Sequence, residues 1–396
     1  MIESPERQPV HTVYGGAQLF KPEIASTLGA RALETMRTYA PDPSAFAEFI
    51  GFHSGAELVR TVFERTIAKL EREPVEDYRI DFEDGYGIRT DAEEDGHAVS
   101  TARAVARGAL QANFPPFLGI RIKPVTEASR ERSFRTLDLF LNTLASEGEI
   151  PANFAVTLPK VTMPEQVTAL VRKLKPFESV KLELMIETPQ SIIDASGQFA
   201  IPKLLDAAAG RCRALHFGVY DYTAGCDITA EYQTMTHPAC DFARHVMQVS
   251  SAGRNVTLSD GATNILPISK DRAVVERAMR LHFEHVQRSL ANGFYQGWDL
   301  HPAQLPTRYA AVYAFFLRSF DAAAARLRNF VEQAARATMA GDVFDDAATG
   351  QGLFNFFLRG INCGAFTEQE ASAAGLTLEE LRSRSFMKIL DRRRKM

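Results

Sequence analysis

Long apolar runs are missing from this chain. Nowhere in its 396 residues does a stretch approach the roughly 18 apolar residues of a membrane span. The opening segment, MIESPERQPV, lacks the apolar core of a signal peptide. Cysteine is scarce. The four present, Cys212, Cys226, Cys240 and Cys363, form no CxxC pair and offer no structural zinc spacing. They read as reduced, mostly buried thiols, and the expected location is the cytoplasm. A strong charge excess is missing too. A formal net charge of −4 gives no basic footprint for nucleic acid. No internal repeat and no low-complexity segment is visible, which argues against a solenoid.

What is there is a chain with 45% hydrophobic and 24% charged residues, enough for a substantial core. Short apolar strands alternate with longer helical patterns. The strands are expected at 9–16, 77–82, 117–122, 154–158, 181–186, 214–218, 255–258 and 293–298. Helices are expected between them, as at 92–111, 130–145 and 271–290. The last carries Val275, Ala278, His282 and Val286 on one stripe and stops at Asn292-Gly293.

Strand–helix alternation predicts a parallel sheet, and eight units predict an α/β fold of the (β/α)8 TIM barrel type. A doubly wound open sheet competes, but no GxGxxG follows the first strand. After His301-Pro302 the pattern turns helical from about 305 to 340, broken at Gly341-Asp342. The expected division is a catalytic barrel at 1–302 and a helical C-terminal extension at 303–396. The extension is a candidate to complete a neighbouring subunit's site. The run Asp391 to Lys395 reads as a solvated tail.

Barrel active sites lie where strands end. The ionisable residues there are Glu83 and Asp84, Arg121 and Lys123, Lys160, Glu187, Asp221, Asp260, and Asp299 with His301. Each alone is an ordinary cap or turn residue. Together they converge if the barrel closes. Carboxylates beside Arg and Lys suit a hard cation with an anionic ligand. Glu187 and Asp221, from separate strands, suit Mg²⁺, which takes few protein ligands. Arg121 is either a clamp for a carboxylate or enolate oxygen, or an ion-pair partner of Glu83 or Asp84. Glu83 and Asp84 would lie beside the metal and orient water and Arg121. Lys160 is a site residue or a structural ion-pair partner. Asp299 reads equally as a helix cap, and His282 and His285 read as solvent or core residues.

These strand ends resemble the HpcH/HpaI aldolase and citrate lyase β-subunit superfamily, with its malyl-CoA lyase and malate synthase relatives. The matching stretches are Asp81-Phe-Glu-Asp84, Ile120-Arg-Ile-Lys123, Leu158-Pro-Lys160, Ile186-Glu-Thr188, Phe217-Gly-Val-Tyr-Asp221, Asp260-Gly261 and Leu300-His-Pro-Ala-Gln304. They run in the family's order over roughly 75–305. Lys123 stands where the family commonly has Asn, and Gly85-Tyr86 replaces a small apolar pair.

The resemblance implies a Mg²⁺-dependent, or Mn²⁺-dependent, barrel acting on 2-oxo or hydroxy acids, often as CoA thioesters. It implies a homo-oligomer, a trimer or hexamer. It also implies metal ligation by Glu187 and Asp221 and an electrophilic role for Arg121. The expected chemistry is carbon–carbon bond cleavage through a metal-stabilised enolate. A malate-synthase-like Claisen condensation and a non-catalytic metabolite-binding barrel are the alternatives. The general base is left among Asp260, His301 and a water oriented by Glu83 or Asp84.

Overall fold

The computed structural model describes residues 7–332, 338–340, 343–345, 347–372, 375–377, 379, 380, 383 and 389. The Asp391 to Lys395 run and the Gly341-Asp342 break lie outside the described residues. Eight parallel strands close into a barrel: β1 (His11–Gly16), β2 (Asp77–Asp81), β3 (Phe117–Arg121), β4 (Phe154–Leu158), β5 (Lys181–Ile186), β6 (Cys212–Phe217), β7 (Thr257–Ala262) and β8 (Gln296–Asp299). β1 pairs with β2 on one side and β8 on the other, which removes both sheet edges. The expected TIM barrel is therefore the observed fold.

Alternation along each strand sorts residues between the barrel interior and the surrounding helices. Tyr78, Ile80 and Phe82 of the β2 region face the helices and join the apolar core. Asp77, Arg79 and Asp81 face inward. Barrel interiors are usually filled by branched apolar side chains. Here Arg79 is fully buried and donates to Asp77, Thr157 and Glu183. Thr157 also donates to Glu183 (2.8 Å), and Arg213 adds a second guanidinium to that carboxylate. Burial opposes the Glu183 charge, but Arg79 and Arg213 overcome it and hold the carboxyl well below its usual range. Such charges stay buried only because each is paired.

Three helices, Ile24–Tyr39, Pro43–Ile50 and Ala56–Arg72, fill the long link between β1 and β2. The helix expected over 305–340 is broken at Ser319 into Leu305–Arg318 and Phe320–Glu332, and the end of that range, Thr338–Ala340, is instead a strand paired antiparallel with Val343–Asp345. The break lets Phe316 and Phe320 both meet the Phe366 ring, at 6.4 and 4.9 Å. Helix Leu305–Arg318 packs against Ala56–Arg72 and Arg272–Ala291, taking the eighth place in the helical ring. Among the described residues, no helix is long and apolar enough to cross a membrane. All four cysteines are free thiols.

Candidate active site

The mouth is organised by Asp81, the last residue of β2. Its Oδ1 accepts from Nε of Arg121 (2.7 Å) and from the backbone N–H of Glu83 (2.9 Å). Its Oδ2 accepts from Nη2 of Arg121 and from the N–H of Gly85 (2.7 Å). A Cβ at position 85 would come 2.6 Å from Oδ2, so this loop closes only with glycine. The bidentate pair fixes the plane of the guanidinium. Burial works against the Arg121 charge, but Asp81 outweighs it and raises the pKa. The guanidinium lies over the rings of Tyr14 (4.9 Å) and Trp298 (5.6 Å). Its Nη1 is 3.3 Å from Glu83.

Lys160 follows β4 and ties three strands together. Its φ of +48° is left-handed, a conformation that costs a non-glycine residue about 1–2 kcal/mol. In that conformation its backbone N–H donates to Oε1 of Glu187 (2.6 Å). Its ammonium pairs with Glu83 and with Asp84 (3.0 Å). Burial would lower the Lys160 pKa, but these two acids raise it. Burial pushes the Glu83 carboxyl up against the pull of Arg121 and Lys160.

Glu187 follows β5 and is 2% exposed. It presses on Gly218, where a Cβ would lie 2.6 Å from Oε2. Among the described residues no donor reaches that oxygen. Burial, then repulsion from Asp221, pushes its carboxyl up to about 7. Asp221 stands in the first turn of helix Val219–Gly225 and is exposed to the mouth's solvent.

Burial and mutual repulsion leave the pair's charge only partly compensated by Arg121 and Lys160, and its donors are hard oxygens. That fits Mg²⁺ or Mn²⁺. Among the described residues, no group of three or more His, Cys, Asp or Glu is arranged to hold a metal ion. A site with two protein ligands leaves the remaining positions to water and ligand, which also fits Mg²⁺ and does not fit structural zinc.

The structure thus brings together Glu83, Asp84, Arg121, Lys160, Glu187 and Asp221. It does not bring Asp260 to them. The seventh strand runs to Ala262, past the expected end at 258, so Asp260 sits within it and faces outward. There it accepts from Nε of Arg244 (2.9 Å) and from the Ser289 hydroxyl (2.6 Å). Asp260 is thus bonded to helix residues and not to the cluster.

His301 caps the turn after β8, its Nδ1 accepting from the N–H of Ala303 (3.2 Å). Burial and then Arg31 lower its pKa, and no described contact joins it to the cluster. Lys123 also turns outward, to Glu94 (2.6 Å). His282 and His285 are core residues, bonded to Asp299 (3.0 Å) and Thr263 (2.9 Å) respectively.

Sequence reasoning missed Asp81 as the residue that orients Arg121, and Tyr14 and Trp298 as its aromatic floor. The signal for Asp81 was present: Asp77, Arg79 and Asp81 recur at period two in a strand that should be apolar on both faces.

A family model described as a domain of unknown function, DUF6986, matches residues 2–389. No curated protein matches. A citrate lyase from Burkholderia xenovorans LB400 is 17% identical, with 94% of this chain and 98% of that chain covered and a TM-score of 0.60. Haloferax volcanii malate synthase, in a magnesium/glyoxylate complex, is 13% identical, with 99% of each chain covered and a TM-score of 0.50. The likeness to both is one of fold.

Proposed function

The chain belongs to the DUF6986 family, and we propose that it is a Mg²⁺-dependent carbon–carbon lyase of a hydroxy acid, free or as a CoA thioester. The carrying observation is the Glu187–Asp221 carboxylate pair beside an Arg121 locked in plane by Asp81. The shared fold with a citrate lyase and with a malate synthase crystallised with magnesium and glyoxylate is compatible with this reading.

Glu187 and Asp221 would hold the ion. That ion would supply Lewis-acid polarisation to a substrate oxygen. Arg121 would offer Nη1, which Asp81 leaves unbonded and which now lies 3.3 Å from Glu83 and 3.6 Å from Sδ of Met185, to the oxygen where negative charge grows. Cleavage would remove the proton of a hydroxyl beta to the carboxyl or thioester carbonyl, turn that C–O into C=O as the Cα–Cβ bond breaks, and leave the electron pair on the other fragment as an enolate, which is then protonated on carbon. Glu83 and Asp84 would move that proton. Lys160 stays an ammonium and holds both acids in position.

The test is to mix the protein with Mg²⁺ and a panel of hydroxy acids and their CoA thioesters. The 2-oxo acid released is trapped as its phenylhydrazone. Glu187→Gln and Asp221→Asn should each lose at least about a hundredfold in rate while folding as the wild type does. Full activity in either variant ends the metal assignment. Thiol release from acetyl-CoA with glyoxylate, without cleavage, would replace the lyase by a Claisen condensation.

A further inference from the structure

Opposite the mouth, at the N-terminal end of the strands, the barrel opens into a second cavity of about 370 Å³. Lys181, Glu183, Arg211, Arg213 and Asn255 contribute to its lining, as does Arg7. The charges can be paired off one by one. Arg213 and Arg79 are matched by Glu183 and Asp77. Arg7 and Lys69 are matched by Glu73 and Glu76.

Two cations remain. Arg211 donates only to the carbonyls of Leu174 (2.9 Å) and Phe177 (3.2 Å). Lys181, the first residue of β5, has no hydrogen bond or ion pair among the described residues. It stands in register with Ala155 on the same face of β5 as Glu183, so it belongs to the inward set. The Asn255 amide is likewise free among the described residues, and it is exposed at this rim. The one acid in the lining, Glu183, is saturated by Arg79, Arg213 and Thr157. A focused positive cavity in a chain of net charge −4 is a counter-field that a small anion would enter.

We propose that this basal cavity binds a compact polyvalent anion, a phosphate or a small dicarboxylate, at a site separate from the barrel mouth. Lys181 supplies the free charge, Asn255 a neutral donor, and Arg211 a fixed positive background. The site does not depend on the lyase reading.

The test is calorimetric titration of the full chain with sodium phosphate and with sodium malonate. EDTA is present throughout, and sodium chloride at equal ionic strength is the control. Saturable one-to-one binding of either anion is expected. The tighter of the two identifies the source chemistry and supports the site. Lys181→Glu should weaken binding at least about tenfold, because it reverses a charge within contact range of the anion. Lys181 is exposed, so the variant should fold. Lys160→Gln, which removes a cation of the mouth, should leave this binding unchanged. Heats no larger than those of chloride, or equal affinity in Lys181→Glu and wild type, would overturn the proposal. So would loss of binding in Lys160→Gln, which would place the anion at the mouth.

Discussion

Arg121 owes its usefulness to Asp81. A guanidinium can give two parallel hydrogen bonds to that carboxylate and still present Nη1 to a ligand. An ammonium cannot. Arg121→Lys should therefore lose at least about tenfold in oxo-acid affinity with Mg²⁺ present, read by calorimetry, although the charge is conserved. Glu187 sets the pH response. Its carboxyl is raised to about 7, so at pH 6 it is mostly protonated and must give up its proton to take a cation. Mg²⁺ affinity should rise by up to about tenfold per pH unit below 7 and level off above 8. Titrations in two buffers of different ionisation enthalpy would show a proton released at pH 6 and almost none at pH 8. Glu187 stood out in the sequence because it directly follows the apolar run of β5, and Asp221 because it lies in the short turn of helix just past β6. Asp260 was read as a strand-end residue because a four-residue apolar run marked the end of β7 too early; it lies within the strand, on the side that faces the helices.

Among the elements, β8 and the helix after it are joined through one buried acid. Asp299 accepts from Arg308 through Nε (3.1 Å) and Nη2 (2.8 Å), and from His282 (3.0 Å), and it lies 3.0 Å from Nδ1 of His11. Burial opposes its charge, but Arg308 and the two histidines hold its carboxyl well below the usual range. The folded-state pKa is depressed, so this contribution is present above the unfolded value near 4 and is lost as pH falls below it. Asp299→Asn should cost about 3–5 kcal/mol at pH 7, measured by urea unfolding, and less at pH 3. The sequence offered Asp299 only as a strand-end acid or cap. Its partners come from the helices on either side of β8 and, across the whole barrel sequence, from His11 of β1, and no local pattern reports that last meeting. The eight strands were legible because their apolar runs are bounded by turn residues. The three helices between β1 and β2 were not resolved into elements.

For the whole molecule, closure of the barrel turns scattered strand ends into one polar mouth and leaves a second opening at the other end. Helix Leu305–Arg318 completes the ring of the barrel, so we propose that the C-terminal extension proper begins near Phe320, not at residue 303. The TIM fold was readable from strand–helix alternation alone. The polar barrel interior was not, because its charges look like ordinary surface alternation until the strands close on one another. The central claim is that the mouth chelates a 2-oxo acid through a cation held by Glu187 and Asp221. Its most direct test is calorimetric binding of oxalate, a planar mimic of enolpyruvate, with and without Mg²⁺, in wild type and in Glu187→Gln. Tight binding that requires Mg²⁺ and disappears in Glu187→Gln is the predicted result. Absence of binding with Mg²⁺, or equal binding with and without it, would contradict the account.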